Sequence, residues 1–416
     1  MKIGLSFLGN IKYQTAAYIW HSPVTGEIQR YETDLFPETL SVFFSLDKLL
    51  VFVTKKAREH ENSYRLQQKL GDLVEFVNIP DGKDENEMWQ IFDIVTEKVP
   101  KNSEIVIDIT HAFRYLPLIV FNLASYLRRI RNVEVYKIVY GNWEARDESF
   151  EPPHAPVFDL TSTMELQNWL YGIDAFQRRG EAYELAVSLA KTQGRFYKNK
   201  ALSNNTNRPQ KLKDTGQCLQ DFSEAIRLLR PLKAFETAEE LLSLLEDVRH
   251  ESMLWAKPFA DILRELENEI KPLKLNKPLV LNKDHLLAEY YLILYYLGKD
   301  LIVQAVLLTR EFLVSYLTWQ LGLQDQWRDR DLRGKIEGDL NRVIRWKQGK
   351  QGGAVPDWYD NKVAGADTII RLWGDIIGLR NSIAHCEMNQ AATCNPSTIR
   401  NNIRNITLEI QSLLYQ

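Results

Sequence analysis

The sequence predicts an α/β domain with a mostly parallel, doubly wound sheet, followed by an all-α region. In the first third of the chain, short apolar runs rich in β-branched residues alternate with longer segments of helical period. Strands that alternate with helices are typical of parallel sheets. From about Thr163 onward the strand signals end, and Leu and Ala recur at helical spacing.

The first domain is predicted to contain short, buried strands with helices between them. The predicted strands are Lys2–Leu8, Ala16–Trp20, Ile28–Thr33, Leu49–Thr54, Leu73–Ile79, Ser103–Ile109 and Val133–Gly141. The second and third of these form a hairpin whose turn lies at Thr25–Glu27. Helices are predicted over Lys55–Leu70, over Glu85–Val99 and after Pro117. We place the end of this Rossmann-like domain (residues 1–160) just after the proline-rich segment Glu151–Pro156.

The rest of the chain divides into a helical connecting region, residues 161–280, and a C-terminal helical domain, residues 281–416. The predicted helices are Ala182–Ala190, Leu219–Leu229, Ala238–Val248, Phe259–Ile270, His285–Leu297, Leu301–Leu321, Thr368–Ala384 and Ser397–Leu414. The segment Lys271–Lys283 is interpreted as a linker, and the polar insert Ser203–Asp214 as an exposed loop. Gln324–Lys362, rich in Trp, Arg, Lys and Gly, is predicted to be a mobile, partly basic excursion.

The composition is that of a globular protein and limits the kinds of partner and compartment to be expected. The 416 residues are 45% hydrophobic and 26% charged, which is an ordinary globular balance. A net charge of −3 excludes a uniformly basic surface, so any nucleic-acid binding is expected to be local. Cys218, Cys386 and Cys394 lack the spacing of metal ligands and fit a reducing compartment. No signal peptide or apolar run of ~20 residues is evident, so we expect a cytoplasmic protein without a membrane segment.

The stretch DITHAFRYLP, Asp108–Pro117, is the most informative part of the first domain. It joins the apolar run SEIVIDI to a helix-like apolar stretch, so Thr110, His111 and Arg114 are expected where a buried strand meets a helix. Ligands of open α/β sheets bind at this edge, and the free N–H groups of a helix N-terminus favour phosphate. The structural alternative is a capped helix start, with Thr110 as the N-cap and Arg114 solvated.

A second constellation, RNSIAH, spans Arg380–His385 at the end of an amphipathic helix. Arg380 is a permanent cation that fits phosphate oxygens, and His385 can take or give a proton near neutral pH. The pair suits cleavage of a phosphodiester with the RNA 2′-hydroxyl as nucleophile and without metal. Five residues place the two side chains ~140° apart on a helix, so a helix break or a second helix from a symmetric dimer is needed. The structural alternative is a surface Arg with a His that stabilises the helix C-terminus.

These segments together resemble the type III CRISPR-associated ancillary ribonucleases, which join a CARF sensor domain to a HEPN domain. LSFLGN, Leu5–Asn10, resembles the first-strand signature of that family, with Tyr13 shortly after it. DITHAFRYLP resembles the second signature. RNSIAH matches the HEPN Arg-x-x-x-x-His motif, with the polar Asn381 after the Arg. The resemblance covers almost the whole chain.

The resemblance implies a metal-independent endoribonuclease of antiviral defence that cuts single-stranded RNA after a cyclic oligoadenylate binds. Cyclic tetra-adenylate is the expected activator, no cofactor is expected, and the expected assembly is a homodimer or a larger homo-oligomer. The residues implied to bind the activator are Gly9, Asn10, Thr110, His111 and Arg114. The residues implied to cleave RNA are Arg380, Asn381 and His385. Tyr13, Asn142 and Trp143 are candidate partners for adenine.

The residues alone leave other functions open. In one alternative the protein senses a ligand, and its C-terminal helices are a non-catalytic interaction module. In another, the N-terminal domain is a ring nuclease that degrades the cyclic oligoadenylate with help from Thr110 or His111. A nucleotide-cofactor oxidoreductase is disfavoured, because the first strand ends in LGN without a G-x-G-x-x-G sequence.

Overall fold

The computed structural model describes residues 1–21, 27–112, 115–198, 209–255, 257–350, 354–361, 363–386, 388 and 395–415. Arg114, Cys394, two of the three residues of the predicted turn and half of the predicted polar insert lie outside the described residues. The chain forms two compact units. The first contains residues 1–167 and a short segment beginning at Arg195, and the second contains residues 168–194 and the chain from residue 207 onward. The division at residues 160 and 280 stays a prediction.

The first unit contains a mixed sheet. Its strands are β1 (Lys2–Phe7), β2 (Ala16–His21), β3 (Ile28–Thr33), β4 (Lys48–Val53), β5 (Val74–Asn78), β6 (Glu104–Asp108), β7 (Glu134–Gly141) and β8 (His154–Asp159). They lie in the order β3-β2-β8-β7-β6-β1-β4-β5. The five strands from β7 to β5 are parallel, whereas β8 is antiparallel to β7 and β3 is antiparallel to β2. The predicted doubly wound, mostly parallel sheet is therefore confirmed.

Helices cover both faces of this sheet. They are α1 (Phe36–Phe44), α2 (Lys55–Arg58), α3 (Glu61–Leu70), α4 (Glu85–Lys98) and α5 (Leu116–Arg131). Because side chains alternate along a strand, β1 directs Ile3 and Leu5 into a core with α4 and α5. On the other face, Val51 of β4 packs in a core with Phe36 and Leu40 of α1. Two buried layers therefore fix the strand ends that carry the candidate site.

Two elements of the first unit were not predicted. The segment interpreted as the end of the domain, Glu151–Pro156, includes the first three residues of β8, which lies inside the sheet between β7 and β2. Its Pro156 has no N–H group, but the Pro156 carbonyl accepts a hydrogen bond from the Asn142 N–H at 2.9 Å. The helix α1 follows β3 directly and has Pro37 in its first turn, where the missing N–H of proline is tolerated.

The remaining helices follow β8. They are α6 (Thr161–Arg179), α7 (Tyr183–Lys198), α8 (Leu212–Arg227), α9 (Pro231–Trp255), α10 (Lys257–Ile270), α11 (Lys283–Gly298), α12 (Ile302–Gln320), α13 (Arg330–Lys347), α14 (Asp357–Asn361), α15 (Ala366–Ala384) and α16 (Pro396–Leu414). In the second unit, α12 packs against α11, α15 and α16. Much of α12 is buried, including Phe312 and Leu313, so this helix forms the centre of the C-terminal helices.

The predicted excursion Gln324–Lys362 is largely helical, so that prediction is wrong. Its main element, α13, begins after Asp329, whose side chain accepts a hydrogen bond from the Leu332 N–H at 2.8 Å. The helix buries Ile336, Leu340 and Val343, which lie on one face because they are spaced three or four residues apart. Because many charged residues separate these three positions in the sequence, the helical pattern was not recognised.

Gly141, at the end of β7, offers a test of packing in the first unit. A Cβ atom at this position would lie 2.6 Å from two ring atoms of Phe36 and 2.8 Å from the Tyr18 ring. We expect Gly141→Ala to lower the free energy of unfolding by about 1–3 kcal/mol, because overpacking forces neighbours out of place. Gly194→Ala, in α7 with no atom within 4 Å of its Cβ position, is the control and should be neutral or stabilising. Equal denaturant midpoints for Gly141→Ala and wild type would contradict this account.

Candidate functional site

The sheet order defines a switch point at β1. The chain passes through β4 and β5 on one side of β1 and then crosses to β6 and β7 on the other side, and ligands of open α/β sheets bind where the connections diverge. Gly9 and Asn10 directly follow β1, and Thr110 and His111 directly follow β6. Since β1 and β6 are parallel neighbours, four of the five predicted activator-binding residues come from two adjacent strand ends.

Asp108 ties these two strand ends together. The Ser6 hydroxyl donates to its carboxylate at 2.5 Å, and the Thr110 N–H donates at 2.7 Å. Asp108 is fully buried. Burial raises the pKa of Asp108 to about 6, although the hydrogen bonds from Ser6 and Thr110 lower it in part. Sequence analysis did not assign this role to Asp108, and its signal was a carboxylate at the end of an otherwise apolar strand.

Thr110 is not the N-cap of α5. The helix begins six residues later at Leu116, and its capping position, Tyr115, makes no side-chain capping hydrogen bond. The Thr110 hydroxyl instead accepts a hydrogen bond from the Gly141 N–H at 2.8 Å. The Thr110 side chain also hydrogen-bonds the Asp108 carboxylate, so this hydroxyl links the end of β7 to the buried Asp108.

His111 is held between Tyr13 and the start of α1. Its ring stacks on Tyr13, with ring centroids 3.8 Å apart, and its Nε2 accepts a hydrogen bond from the Phe36 N–H at 3.4 Å. Burial lowers the pKa of His111 to about 4, although Asp34 opposes the shift. The neutral ring accepts at Nε2, so its proton lies on Nδ1. His111 therefore offers a neutral donor.

This lowered pKa predicts a pH-dependent stability. The folded state holds the His111 proton less tightly than the unfolded chain, so the free energy of unfolding rises from about pH 4 to about pH 6.5. His111→Phe keeps a ring against Tyr13 but cannot titrate. We expect wild type to gain on the order of 2 kcal/mol relative to this variant between about pH 4.5 and 7.5, measured by urea unfolding. A difference that is constant with pH would contradict the shift.

The loop after β1 has two internal supports. The Gly9 N–H donates to the Tyr13 hydroxyl at 2.9 Å, and a Cβ atom at Gly9 would lie 2.7 Å from that oxygen. Asn62, on α3, donates to the carbonyl oxygens of Gly9 and Ile11 at 3.3 and 2.8 Å. Asn10, between them, is exposed. No sequence signal pointed to Asn62, because it lies about fifty residues away in a polar helix.

The other two adenine candidates have internal partners. The Asn142 side-chain oxygen accepts a hydrogen bond from the Ala145 N–H at 3.2 Å and so caps a short turn. The Arg146 guanidinium lies over the Trp143 ring, 4.5 Å from its centroid. Both residues follow β7, next to Gly141, so they border the same edge of the sheet as Thr110.

The RNSIAH segment closes α15. Arg380 and His385 are exposed, and Asn381 is half-buried. The Arg380 guanidinium donates to the Asn381 side-chain oxygen at 3.2 Å. The helix runs unbroken from Ala366 to Ala384, with His385 as its C-cap, so the geometry keeps Arg380 and His385 ~140° apart around the axis. A helix break between the two residues, one of the two arrangements considered above, is therefore excluded.

An ion-pair network lies between α12 and α13. Arg310 pairs with Glu311 at 2.5 Å and with Glu337 at 2.6 Å. Arg333 pairs with the same Glu311 at 2.7 Å. The Arg310 guanidinium also lies 5.4 Å from the centroid of the Trp373 ring of α15. These contacts fix α13 and α15 against the central helix.

Within the described ranges, no group of three or more His, Cys, Asp or Glu side chains is placed to hold a metal ion. No helix in the described part of the chain is long and apolar enough to cross a membrane.

Comparison with known proteins identifies two parts of the chain. Residues 3–144 match the family model for the CARF domain of the CRISPR system endoribonuclease Csx1. Residues 165–274 match the model for the second domain of CRISPR-associated protein MJ1674. CRISPR-associated protein MJ1674 of Methanocaldococcus jannaschii is 29% identical over 154 residues, which cover 36% of this chain and 23% of that protein. The match thus spans less than a quarter of the length of this relative.

The first match lies within the first unit. The α/β domain is similar to a CARF domain over residues 3–144, and a mostly helical region follows it. Both matching models are those of CRISPR proteins. Neither family model extends beyond residue 274, so the HEPN assignment of the C-terminal helices stays a prediction.

Proposed function

We propose that this chain is a metal-independent endoribonuclease of type III CRISPR antiviral defence that cuts single-stranded RNA after its CARF domain binds a cyclic oligoadenylate. One observation carries the proposal: a CARF domain and an exposed Arg-x-x-x-x-His helix end occur in the same chain. The matching CARF model is that of a protein named as an endoribonuclease. Cyclic tetra-adenylate is the proposed activator, and a homodimer is the proposed working form.

Hydrogen-bond donors at the switch point support binding of such a ring. The His111 Nδ1–H is a neutral donor, and α5 begins without a side-chain capping hydrogen bond. Neutral donors and a helix N-terminus suit phosphate oxygens. A cyclic oligonucleotide repeats the same unit around its ring, so two copies of these strand ends can bind it with two-fold symmetry.

The helix end of α15 supports cleavage. In the proposed reaction, the RNA 2′-oxygen loses its proton to His385 and forms a bond to the adjacent phosphorus. The bond from phosphorus to the 5′-oxygen breaks, and that oxygen receives a proton. The products are a 2′,3′-cyclic phosphate and a 5′-hydroxyl. Arg380 neutralises the charge that develops on the phosphate, and Asn381 orients the guanidinium that donates to it.

A second copy of the chain completes this proposed site. Arg380 and His385 leave an unbroken helix in different directions, so one helix cannot direct both at one phosphate. Pairing of two such helix ends brings the arginine of each copy towards the histidine of the other. The second histidine is then available to protonate the leaving 5′-oxygen.

Titration calorimetry with cyclic oligoadenylates of three to six units tests the sensing part of the proposal. We expect cyclic tetra-adenylate to bind with a stoichiometry of one ring for two chains. Linear tetra-adenylate serves as the control and should bind at least tenfold more weakly. Absence of binding by every ring would overturn the proposal.

A further inference from the structure

The loop between β1 and β2 is fixed at its base and exposed at its tip. Asn62 is 1% exposed, and its amide donates to the carbonyls of Gly9 and Ile11. Tyr13 closes the other side, since its hydroxyl accepts from the Gly9 N–H and its ring stacks on His111. A loop held at Gly9, Ile11 and Tyr13 leaves little freedom for the backbone of the one residue between Ile11 and Tyr13, which is Lys12.

Lys12 is an exposed cation at this tip. In the described part of the chain its ammonium makes no ion pair. Three other cations near these loops have carboxylate partners: Arg65 with Asp34, Lys83 with Asp81, and Arg146 with Glu148. Lys12 directly precedes Tyr13, whose ring stacks on His111. Neighbouring Cα atoms are 3.8 Å apart, so the Lys12 backbone lies next to that of Tyr13.

We propose that Lys12 is a ligand-binding residue whose ammonium pairs with a phosphate of the cyclic oligoadenylate, and that Asn62 is a positioning residue that acts through Lys12. This inference rests on the proposed function. It adds a positive charge beside His111, which donates as a neutral group. A flexible lysine loses conformational entropy when it binds a ligand. Because Asn62 already fixes the loop in the free protein, the backbone loses less entropy on binding.

The test compares the affinity of Lys12→Met, Lys12→Arg and Lys56→Met for cyclic tetra-adenylate by titration calorimetry. Lys56 is the matched control: it is also an exposed lysine, in α2 directly after β4, but none of the contacts described above holds it. We expect Lys12→Met to bind about tenfold more weakly and with a smaller dependence on salt concentration. Lys12→Arg should retain most of the affinity, and Lys56→Met should bind like wild type.

Two outcomes overturn the inference while leaving the proposed function intact. In the first, wild type binds the ring and Lys12→Met binds it equally well. In the second, Lys56→Met loses as much affinity as Lys12→Met, which indicates a general effect of positive surface charge and not a specific contact of Lys12. If wild type binds no ring, the proposed function itself fails.

A double-mutant cycle tests the role of Asn62. Asn62→Ser shortens the side chain, so that it no longer reaches the carbonyl oxygens of Gly9 and Ile11. When Lys12 is present, this substitution should weaken ring binding several-fold. In the Lys12→Met background it should have little further effect, because the residue that it positions is gone. Additive losses would show that Asn62 acts on the fold or on another contact, and would overturn its assignment. The Lys12 comparison stands if Asn62→Ser does not fold.

Discussion

His385→Ala is expected to abolish activator-dependent RNA cleavage, with a rate loss of about 100- to 10,000-fold, the range typical of a general acid or base. His385 is exposed at the C-cap of α15, so its removal leaves the packing of the helix intact. Stability should therefore change by no more than about 0.5 kcal/mol. The measurement is the rate of cleavage of a fluorescently labelled single-stranded RNA at saturating cyclic tetra-adenylate.

The matched control for this variant is His250→Ala. His250 is also an exposed histidine on a helix, α9, of the second unit, and its removal should leave cleavage unchanged. Binding of the cyclic oligoadenylate should be the same in both variants, because the proposed sensor lies in the first unit. Full cleavage by His385→Ala would refute its assignment as the proton-transfer residue.

Thr110→Val is expected to weaken activator binding about a hundredfold. The substitution conserves shape but removes the hydroxyl that we propose contacts the ligand. It also leaves the Gly141 N–H without its acceptor, and an unsatisfied buried donor costs about 1–3 kcal/mol. We therefore expect the free energy of unfolding to fall by a similar amount. Calorimetry with cyclic tetra-adenylate and denaturant unfolding measure the two effects.

Thr96→Val provides the comparison. The Thr96 hydroxyl, near the end of α4, has no hydrogen-bond partner among the described residues. Its removal should change neither activator affinity nor the proposed cleavage activity. If Thr110→Val binds the ring as tightly as Thr96→Val does, Thr110 does not contact the activator.

The sequence predicted the strand ends that carry the site because their signals are local. The buried run before Asp108 and the apolar helix after Pro117 place Thr110 and His111 at the carboxyl edge, and this placement is confirmed. The partners of these residues could not be predicted. Ser6 lies 102 residues from Asp108, and only the packing of β1 beside β6 brings them together.

Two errors in the predicted fold have physical causes. The prolines Pro152, Pro153 and Pro156 disfavour a strand, yet only Pro156 lies within β8, which begins at His154. In α13, the apolar residues occupy one narrow stripe among many charges, so the composition suggested a loop. Both segments depend on tertiary packing more than on their own propensity.

The RNSIAH segment shows how far a motif can be interpreted. The sequence predicted that a helix ends at Ala384, and α15 ends at this residue. The sequence left open whether the helix breaks between Arg380 and His385. Because it does not, the proposed active site depends on a second copy, which no property of one chain could reveal.

The central claim is that binding of a cyclic oligoadenylate in the first unit activates RNA cleavage by the C-terminal helices. The most direct test incubates the full chain with labelled single-stranded RNA in the presence of a chelator, with and without cyclic tetra-adenylate. Cleavage only when the ring is present, leaving 2′,3′-cyclic phosphate ends, is the predicted result. Intact RNA with every ring size, or cleavage that requires a metal or ignores the ring, would contradict the account.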